Sequence, residues 1–115
     1  MVELAGGLLV PYLAGPRPYT QADWLERARA PLVLVARSGL GTLNHTLLSL
    51  EALRRRGLEP RALFLVGEPH PSNREALLEL GAPAWMLEVP PFAPLLPAAL
   101  DRWLDAHPLE ELFAP

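Results

Sequence analysis

The 115-residue chain contains no cysteine and no lysine. Without cysteine it has no means of forming a disulfide, a thiolate metal site or a cysteine nucleophile. Without lysine it supplies neither the lysine of a phosphate-binding P-loop nor a Schiff base. All ten basic residues are arginine, and the formal net charge is −3. This acidic balance argues against nucleic acid or an anionic membrane surface as the partner.

Long apolar runs are also missing. No run approaches the roughly 18 residues that a membrane span requires, and the amino terminus lacks the charged start of a signal peptide. We therefore expect a cytoplasmic protein that does not enter a membrane. A length of 115 residues predicts a single domain over 1–115, large enough for a hydrophobic core but small for a doubly wound fold.

The clearest structural pattern lies between Pro31 and Gly57. Leu32 to Val35 is a continuous apolar run, typical of a parallel strand that is buried on both faces. Ser38 to Gly41 forms a glycine-rich turn, after which Thr42 is in position to cap a helix. Leucines then recur at helical spacing until Gly57, at Leu43, Leu47, Leu50 and Leu53, with Leu48 beside them. The N–H groups that point out of such a turn predict either an anion site or an ordinary strand-to-helix connection.

Strands and helices alternate along the rest of the chain. Apolar runs predict strands at 61–66 and 84–89, and Leu8 to Leu13 reads as a short extended piece. Capping-box patterns predict helices at 20–30 and 72–80, and a proline in the first turn predicts a last helix at 94–106. The alternation predicts an α/β fold with three layers, in which a mostly parallel sheet is flanked by helices. The tail from 108 to 115 gives no clear prediction.

Three groups of residues could carry chemistry. Glu3, beside a glycine turn, could hold a metal ion or orient a water, or could be a solvated glutamate near the terminus. Gly39 to His45 could bind an amine or a carboxylate through Asn44 and the helix N-terminus, or could be an ordinary surface turn. Gly67 to Pro71 follows a predicted parallel strand, where ligands usually bind, but a rigid turn without chemistry is equally consistent with the sequence.

Several segments resemble dethiobiotin synthetase, in the same order and with similar gaps. They are VELAGGLLVP, ADW, PLVLVARSGLGTLNHTLLSLEALRRRGLE, NREALLELG and LEVPP. The resemblance covers most of the 115 residues, and GLGTLNH is its most specific part. It implies a fold like that of the P-loop nucleotide hydrolases. The family forms the ureido ring of dethiobiotin from 7,8-diaminononanoate, carbon dioxide and MgATP, through a carbamate and a mixed carbamic–phosphoric anhydride.

The resemblance also assigns roles to particular residues. Glu3 matches a glutamate that the family associates with magnesium. Gly41, Thr42, Leu43 and Asn44 match the helix start that receives the substrate carboxylate across a dimer interface. The helix over 42–56 matches the one that packs against the second subunit, which implies a homodimer.

The chain departs from the family where ATP would bind. It begins where the family's second half begins, without the glycine-rich P-loop, its lysine and threonine, or the lysine and serine that handle the carbamate. Leu4 replaces a glycine that approaches the phosphates, and Val66 replaces the asparagine that reads adenine. Phosphoryl transfer depends on positioning and on charge neutralisation. We therefore expect a truncated P-loop-hydrolase-like chain with no cofactor of its own, in which binding of MgATP and catalysis are lost.

Two functions remain open. In the first, the chain is the carboxyl-terminal portion of a dethiobiotin synthetase, inactive alone, which requires a partner chain carrying an amino-terminal P-loop. In the second, it is a degenerate, non-enzymatic dimer that binds a small carboxylate or a partner protein. The missing P-loop strand would leave an edge of Leu32 to Val35 unpaired. The edge could be closed by residues Val2 to Leu13, covered by a second subunit or paired with a strand from a partner chain. We expect closure from within, by Leu8 to Val10, with the helix over 20–30 as the crossover.

Overall fold

The structure, a computed structural model, describes residues 1–113. Its strands are β1 (Pro11–Leu13), β2 (Tyr19–Thr20), β3 (Val33–Arg37), β4 (Ala62–Val66) and β5 (Met86–Val89). Its helices are α1 (Gln21–Ala28), α2 (Thr42–Arg54), α3 (Pro71–Glu79), α4 (Pro97–Ala106) and α5 (Glu110–Phe113). β3, β4 and β5 form one parallel sheet in that order, and β1 and β2 form a separate antiparallel pair. The predicted α/β class with a parallel sheet is confirmed.

The main core cluster lies on one face of the parallel sheet. Its buried side chains are Leu63, Leu65, Leu77 and Met86, and the half-buried residues packed against them come from β3, α2, α3 and the turn after α3. The strand order runs in one direction, so right-handed crossovers place α2 and α3 on the same face. We call this the covered face. Only a reversal of strand order would carry a crossover helix to the other side of the sheet.

The other side, which we call the open face, is apolar. Alternation along the strands and the register between them place seven apolar residues there: Val33, Val35, Ala62, Phe64, Val66, Leu87 and Val89. Ala62, at the start of β4, is fully buried. Val35 is 61% exposed and Val66 is 42% exposed. The sequence predicted strands buried on both faces, but within residues 1–113 the described core cluster occupies the covered face alone.

The expectation that the amino-terminal segment closes the sheet edge is wrong. Within the described residues, β3 pairs with β4 only. The segment before β1 is instead bonded to the start of α1, where the N–H groups of Gln21 and Ala22 donate to the carbonyls of Val10 and Leu8 at 3.0 and 2.9 Å. Those N–H groups lack partners inside the helix, so the preceding loop satisfies them and is drawn away from β3.

Local signals predicted some helix boundaries and missed others. The capping box at Thr20 and Asp23 is present, with the Thr20 N–H donating to Asp23 Oδ2 at 2.7 Å. The capping box predicted at Ser72 is wrong because His70 is the N-cap, Pro71 opens the helix, and Ser72 therefore lies inside its first turn. Gly57 follows the end of α2 with φ +70°, as predicted. No helix among residues 1–113 combines the length and apolar character that a membrane crossing requires.

Candidate functional site

The candidate site lies at the carboxyl ends of β3 and β4, where one turn leads into α2 and another into α3. Ligands of parallel α/β sheets usually bind at this end of the strands. The α2 turn (38–41) and the α3 turn (67–70) are hydrogen-bonded to each other, because the Ser38 N–H donates to the Val66 carbonyl at 3.0 Å. Two regions that the sequence singled out separately are therefore neighbours.

The entrance to α2 depends on Gly41. This residue is the N-cap, and its φ of +89° is a left-handed backbone conformation that residues other than glycine rarely adopt. No side chain caps the helix. The prediction that Thr42 caps it is wrong, since Thr42 is buried and its Oγ1 lies 3.2 Å from Oγ1 of Thr46. The Thr42 N–H donates to the Gly39 carbonyl at 3.2 Å. The next N–H groups, those of Leu43 and Asn44, are among those that a helix leaves without internal partners.

A small cleft runs between the outer side of β3 and α2. Its volume is about 190 Å³, and its lining combines apolar groups of β3 with polar groups of α2, namely Leu34, Val35, Ala36, Arg37, Thr42, His45, Thr46 and Ser49. At its mouth, Arg37 Nη2 lies 3.4 Å from His45 Nδ1. Asn44 is exposed beside His45. The cleft thus brings together a guanidinium, an imidazole and a helix N-terminus, a set that suits a carboxylate or another small anion.

Sequence analysis missed Ser38 and Asn73. Ser38 is 3% exposed, its Oγ donates to the Glu68 carbonyl at 2.6 Å, and its own carbonyl accepts from Asn73 Nδ2 at 3.0 Å. The available signal was a polar residue placed at the end of an apolar strand and directly before glycine. Such a position requires hydrogen-bond partners if it is buried.

The remaining predicted residues are scattered. Glu3 is exposed, and no group of three metal-binding side chains is found among residues 1–113. Val66 lies at the end of β4, on the open face. His70 is exposed and occupies the N-cap position of α3, but its side chain makes no capping hydrogen bond. His107, to which the sequence assigned no role, follows α4, and its ring stacks on Trp103 with a centroid separation of 4.6 Å.

Paired charges lie at the far end of α2 from Gly41. The Glu59 carboxylate accepts two hydrogen bonds from Arg54, at 2.7 and 2.8 Å, and this contact lowers the pKa of Glu59 and raises that of Arg54. Arg54 also donates to the Gly81 carbonyl at 2.6 Å, which joins α2 to the end of α3. These contacts fix the helices against each other and leave the candidate site at the opposite end.

Comparison with known proteins identifies relatives across most of the chain. A family model described as an AAA domain matches residues 1–99. The ATP-dependent dethiobiotin synthetase BioD of Bradyrhizobium diazoefficiens is 41% identical over 95 residues, which are 83% of this chain and 44% of that protein. The synthetase of Brucella anthropi is 41% identical over 107 residues, which are 93% of this chain and 49% of that protein.

A fused enzyme is also similar. The biotin biosynthesis bifunctional protein BioCD of Bordetella avium is 41% identical over 108 residues, covering 94% of this chain and 23% of that protein. No solved structure gives a significant match. The chain spans about half the length of the dethiobiotin synthetases that it matches. The resemblance to dethiobiotin synthetase is confirmed, and the chain belongs to the AAA domain family.

Proposed function

We propose that this chain is the carboxyl-terminal, substrate-binding portion of a dethiobiotin synthetase and that it works only together with an amino-terminal portion carrying the P-loop. The observation that carries this proposal is the edge of β3, which has no partner strand among residues 1–113 and lies beside the exposed apolar side chains of Val35 and Val66. Both are surfaces that a folded protein normally pairs or covers.

The free edge of β3 has a defined polarity. The Leu32 carbonyl accepts from Arg61, and the Ser38 N–H donates to Val66, so the even-numbered residues direct their backbone groups toward β4. Odd-numbered residues, namely Val33, Val35 and Arg37, therefore direct their N–H and C=O groups away from β4. A partner strand would bond to these three residues, extend the sheet by one strand and occupy the part of the cleft that lies along β3.

The open face supports the same proposal. A partner that adds a strand next to β3 could also lay a helix across Val35 and Val66, and so create the third layer that the sequence predicted. Burying exposed apolar surface contributes roughly 25 cal/mol per Å². The relatives are about twice as long as the matched region, so their remaining residues are numerous enough to form such a layer.

The residues present do not fit MgATP. No lysine is available to contact phosphate oxygens, and Val66 presents hydrocarbon where the family resemblance places an adenine-reading asparagine. Glu3 is a single exposed carboxylate. We therefore assign no cofactor to the isolated chain and no catalytic step to its residues.

The substrate carboxylate is assigned to the entrance of α2, over Gly41, Thr42, Leu43 and Asn44. The support is the start of the helix at the left-handed Gly41, where Leu43 and Asn44 have N–H groups without a partner inside the helix, together with Arg37 at the mouth of the adjoining cleft. Leu40, at the tip of the turn, is 97% exposed, so the approach to these groups is open.

A homodimer through the helix over 42–56 completes the proposal. Leu48 lies on the side of α2 away from the buried Thr46 and Leu50 and is 56% exposed. Because α2 already covers the core with its other side, an exposed leucine on this side is available for contact with a second subunit. The same observation favours the second candidate function, a non-enzymatic dimer that binds a small carboxylate or a protein without ATP.

One experiment separates the two functions. Dethiobiotin formation and MgATP binding by calorimetry are measured for the chain alone, and then with the amino-terminal portion of a relative such as the Brucella anthropi enzyme. The proposal predicts neither activity nor an ATP isotherm for the chain alone, and both for the mixture. An ATP isotherm with the chain alone would contradict the proposal, whereas a dimer that remains inactive in the mixture would favour the non-enzymatic function.

A further inference from the structure

Ser38 joins the α2 turn and the α3 turn through three hydrogen bonds. Its N–H donates to the Val66 carbonyl at 3.0 Å, and its Oγ donates to the Glu68 carbonyl at 2.6 Å. Its carbonyl accepts from Asn73 Nδ2 at 3.0 Å. Because Ser38 is only 3% exposed, these bonds are shielded from water, and losing one leaves a buried polar group without a partner.

Gly67 shows how closely the two turns approach. A Cβ at this position would lie 2.7 Å from Ser38 Oγ, inside van der Waals contact, and the φ of +129° also disfavours a side chain. The Gly67 N–H donates to the Val89 carbonyl at 3.0 Å. The contact network around Ser38 therefore spans the carboxyl ends of β3, β4 and β5.

The α2 entrance has few other anchors. Gly39 and Gly41 flank the tip of the turn, and glycine leaves a backbone more conformational freedom than any other residue. Arg37 and His45 contact each other, but both are exposed. Among the hydrogen bonds of the described residues, those of Ser38 are the ones that join the entrance of α2 directly to the α3 turn and the start of α3.

We propose that Ser38 and Asn73 are positioning residues that hold the α2 turn and the α3 turn as one unit. A change in the conformation of one turn then alters the conformation of the other. Binding of a carboxylate at Gly41 to Asn44 therefore changes the backbone conformation at Gly67 and Glu68. The identity of that ligand rests on the proposed function, but the coupling between the turns does not.

Amide hydrogen exchange of the full chain tests the coupling. Ser38→Ala alters the α2 turn, and the Gly67 N–H of the other turn should exchange about three- to tenfold faster, as for the loss of one hydrogen bond. Asn73→Asp removes the donor from α3 with little change in size, and the Thr42 N–H should exchange faster to a similar degree. Ser49→Ala is the control, because its hydroxyl bonds to the His45 carbonyl within α2 and bridges no turns.

Rescue separates positioning from simple destabilisation. Ser38→Thr retains the hydroxyl and should restore slow exchange at Gly67. The coupling is overturned if Ser38→Ala speeds exchange only in its own turn, if Ser49→Ala gives the same pattern, or if Ser38→Thr exchanges as fast as Ser38→Ala. Should Ser38→Ala fail to fold, Asn73→Asp alone decides the outcome.

A ligand titration tests whether Ser38 affects binding of a carboxylate. The affinity for 7,8-diaminononanoate should fall about three- to tenfold in Ser38→Ala, while any weak binding of its methyl ester should stay unchanged, because only the acid uses the α2 N–H groups. An equal loss for acid and ester would contradict the positioning role. If the wild-type chain binds neither compound, the proposed function fails at this site, and the exchange experiment still judges the coupling.

Discussion

Val35 of β3 pairs in register with Phe64 of β4 on the open face of the sheet, yet Val35 is 61% exposed. One strand further from the edge, Leu65 on the covered face is 1% exposed. The contrast predicts different costs for two similar truncations. Leu65→Ala should lower the free energy of unfolding by about 2–5 kcal/mol, whereas Val35→Ala should change it by no more than about 0.5 kcal/mol.

Urea unfolding of the isolated chain measures both variants. Equal losses for Val35→Ala and Leu65→Ala would mean that the open face is covered in solution, either within the chain or by another copy. Repeating the measurement over a range of protein concentrations distinguishes these cases, because only association makes the stability depend on concentration.

Gly41 and Gly39 provide a matched pair in the candidate site. Gly41 has φ +89°, so Gly41→Ala should cost about 1–2 kcal/mol through backbone strain. Gly39 lacks that strain, and a Cβ there would meet no atom within 4 Å, so Gly39→Ala should lie within about 0.5 kcal/mol of wild type. Denaturant unfolding followed by circular dichroism compares the two variants. A larger loss for Gly39→Ala would contradict the assigned entrance to α2.

Asp23 should make stability depend on pH in the acid range. Hydrogen bonds from the Thr20 backbone and side chain, aided by Arg56, hold the pKa of Asp23 below its ordinary value of 3.8. A depressed pKa in the folded state means that the stabilisation is present above the ordinary value and is lost as pH falls through the folded-state value. Asp23→Asn should flatten this dependence. An Asp23 titration by NMR that gives a pKa above the ordinary value would contradict the capping geometry.

The dimer prediction depends on Leu48. The wild-type chain should sediment as a homodimer at micromolar concentration, and Leu48→Glu should shift it to monomer, since a charge in an apolar contact surface lacks a partner. Leu104→Glu on α4 is the control, because that leucine is 43% exposed and lies on a different helix. A wild-type monomer, or dissociation by the Leu104 change alone, would count against a dimer through α2.

Periodic and local patterns predicted much of the fold. Apolar runs placed β3 and β4 within one or two residues, and the Thr20–Asp23 pair marked the start of α1. The same apolar runs gave no sign that Val35 and Val66 stay exposed on one face of the sheet, because the placement of the covering helices depends on strand order. The failed closure by Leu8 to Val10 has a similar cause. Whether an apolar segment pairs with β3 or bonds to α1 depends on three-dimensional competition that a sequence pattern does not contain.

The candidate site was predicted in part for the same reason. Glycine spacing located the turn from Ser38 to Gly41, but the sequence assigned the helix cap to Thr42, whereas the N-cap is the left-handed Gly41. The bonds of Ser38 to Glu68 and Asn73 join residues 30 and 35 positions apart. A local pattern can therefore mark Ser38 as a polar residue at a strand end, but it cannot identify its partners. Thr42 was misassigned as a cap because its side chain turns inward to Thr46, a choice that burial decides.

The central claim is that β3 accepts a strand from an amino-terminal portion, and backbone exchange at that edge tests it most directly. Exchange of the Val33, Val35 and Arg37 amides is measured with and without the amino-terminal portion of the Brucella anthropi relative, with Val35→Arg as the variant that should weaken the complex. The account predicts a one-to-one complex in which these three amides exchange much more slowly, while those of α4 are unchanged. Fast exchange at Val35 in a formed complex, or no complex at all, would contradict it.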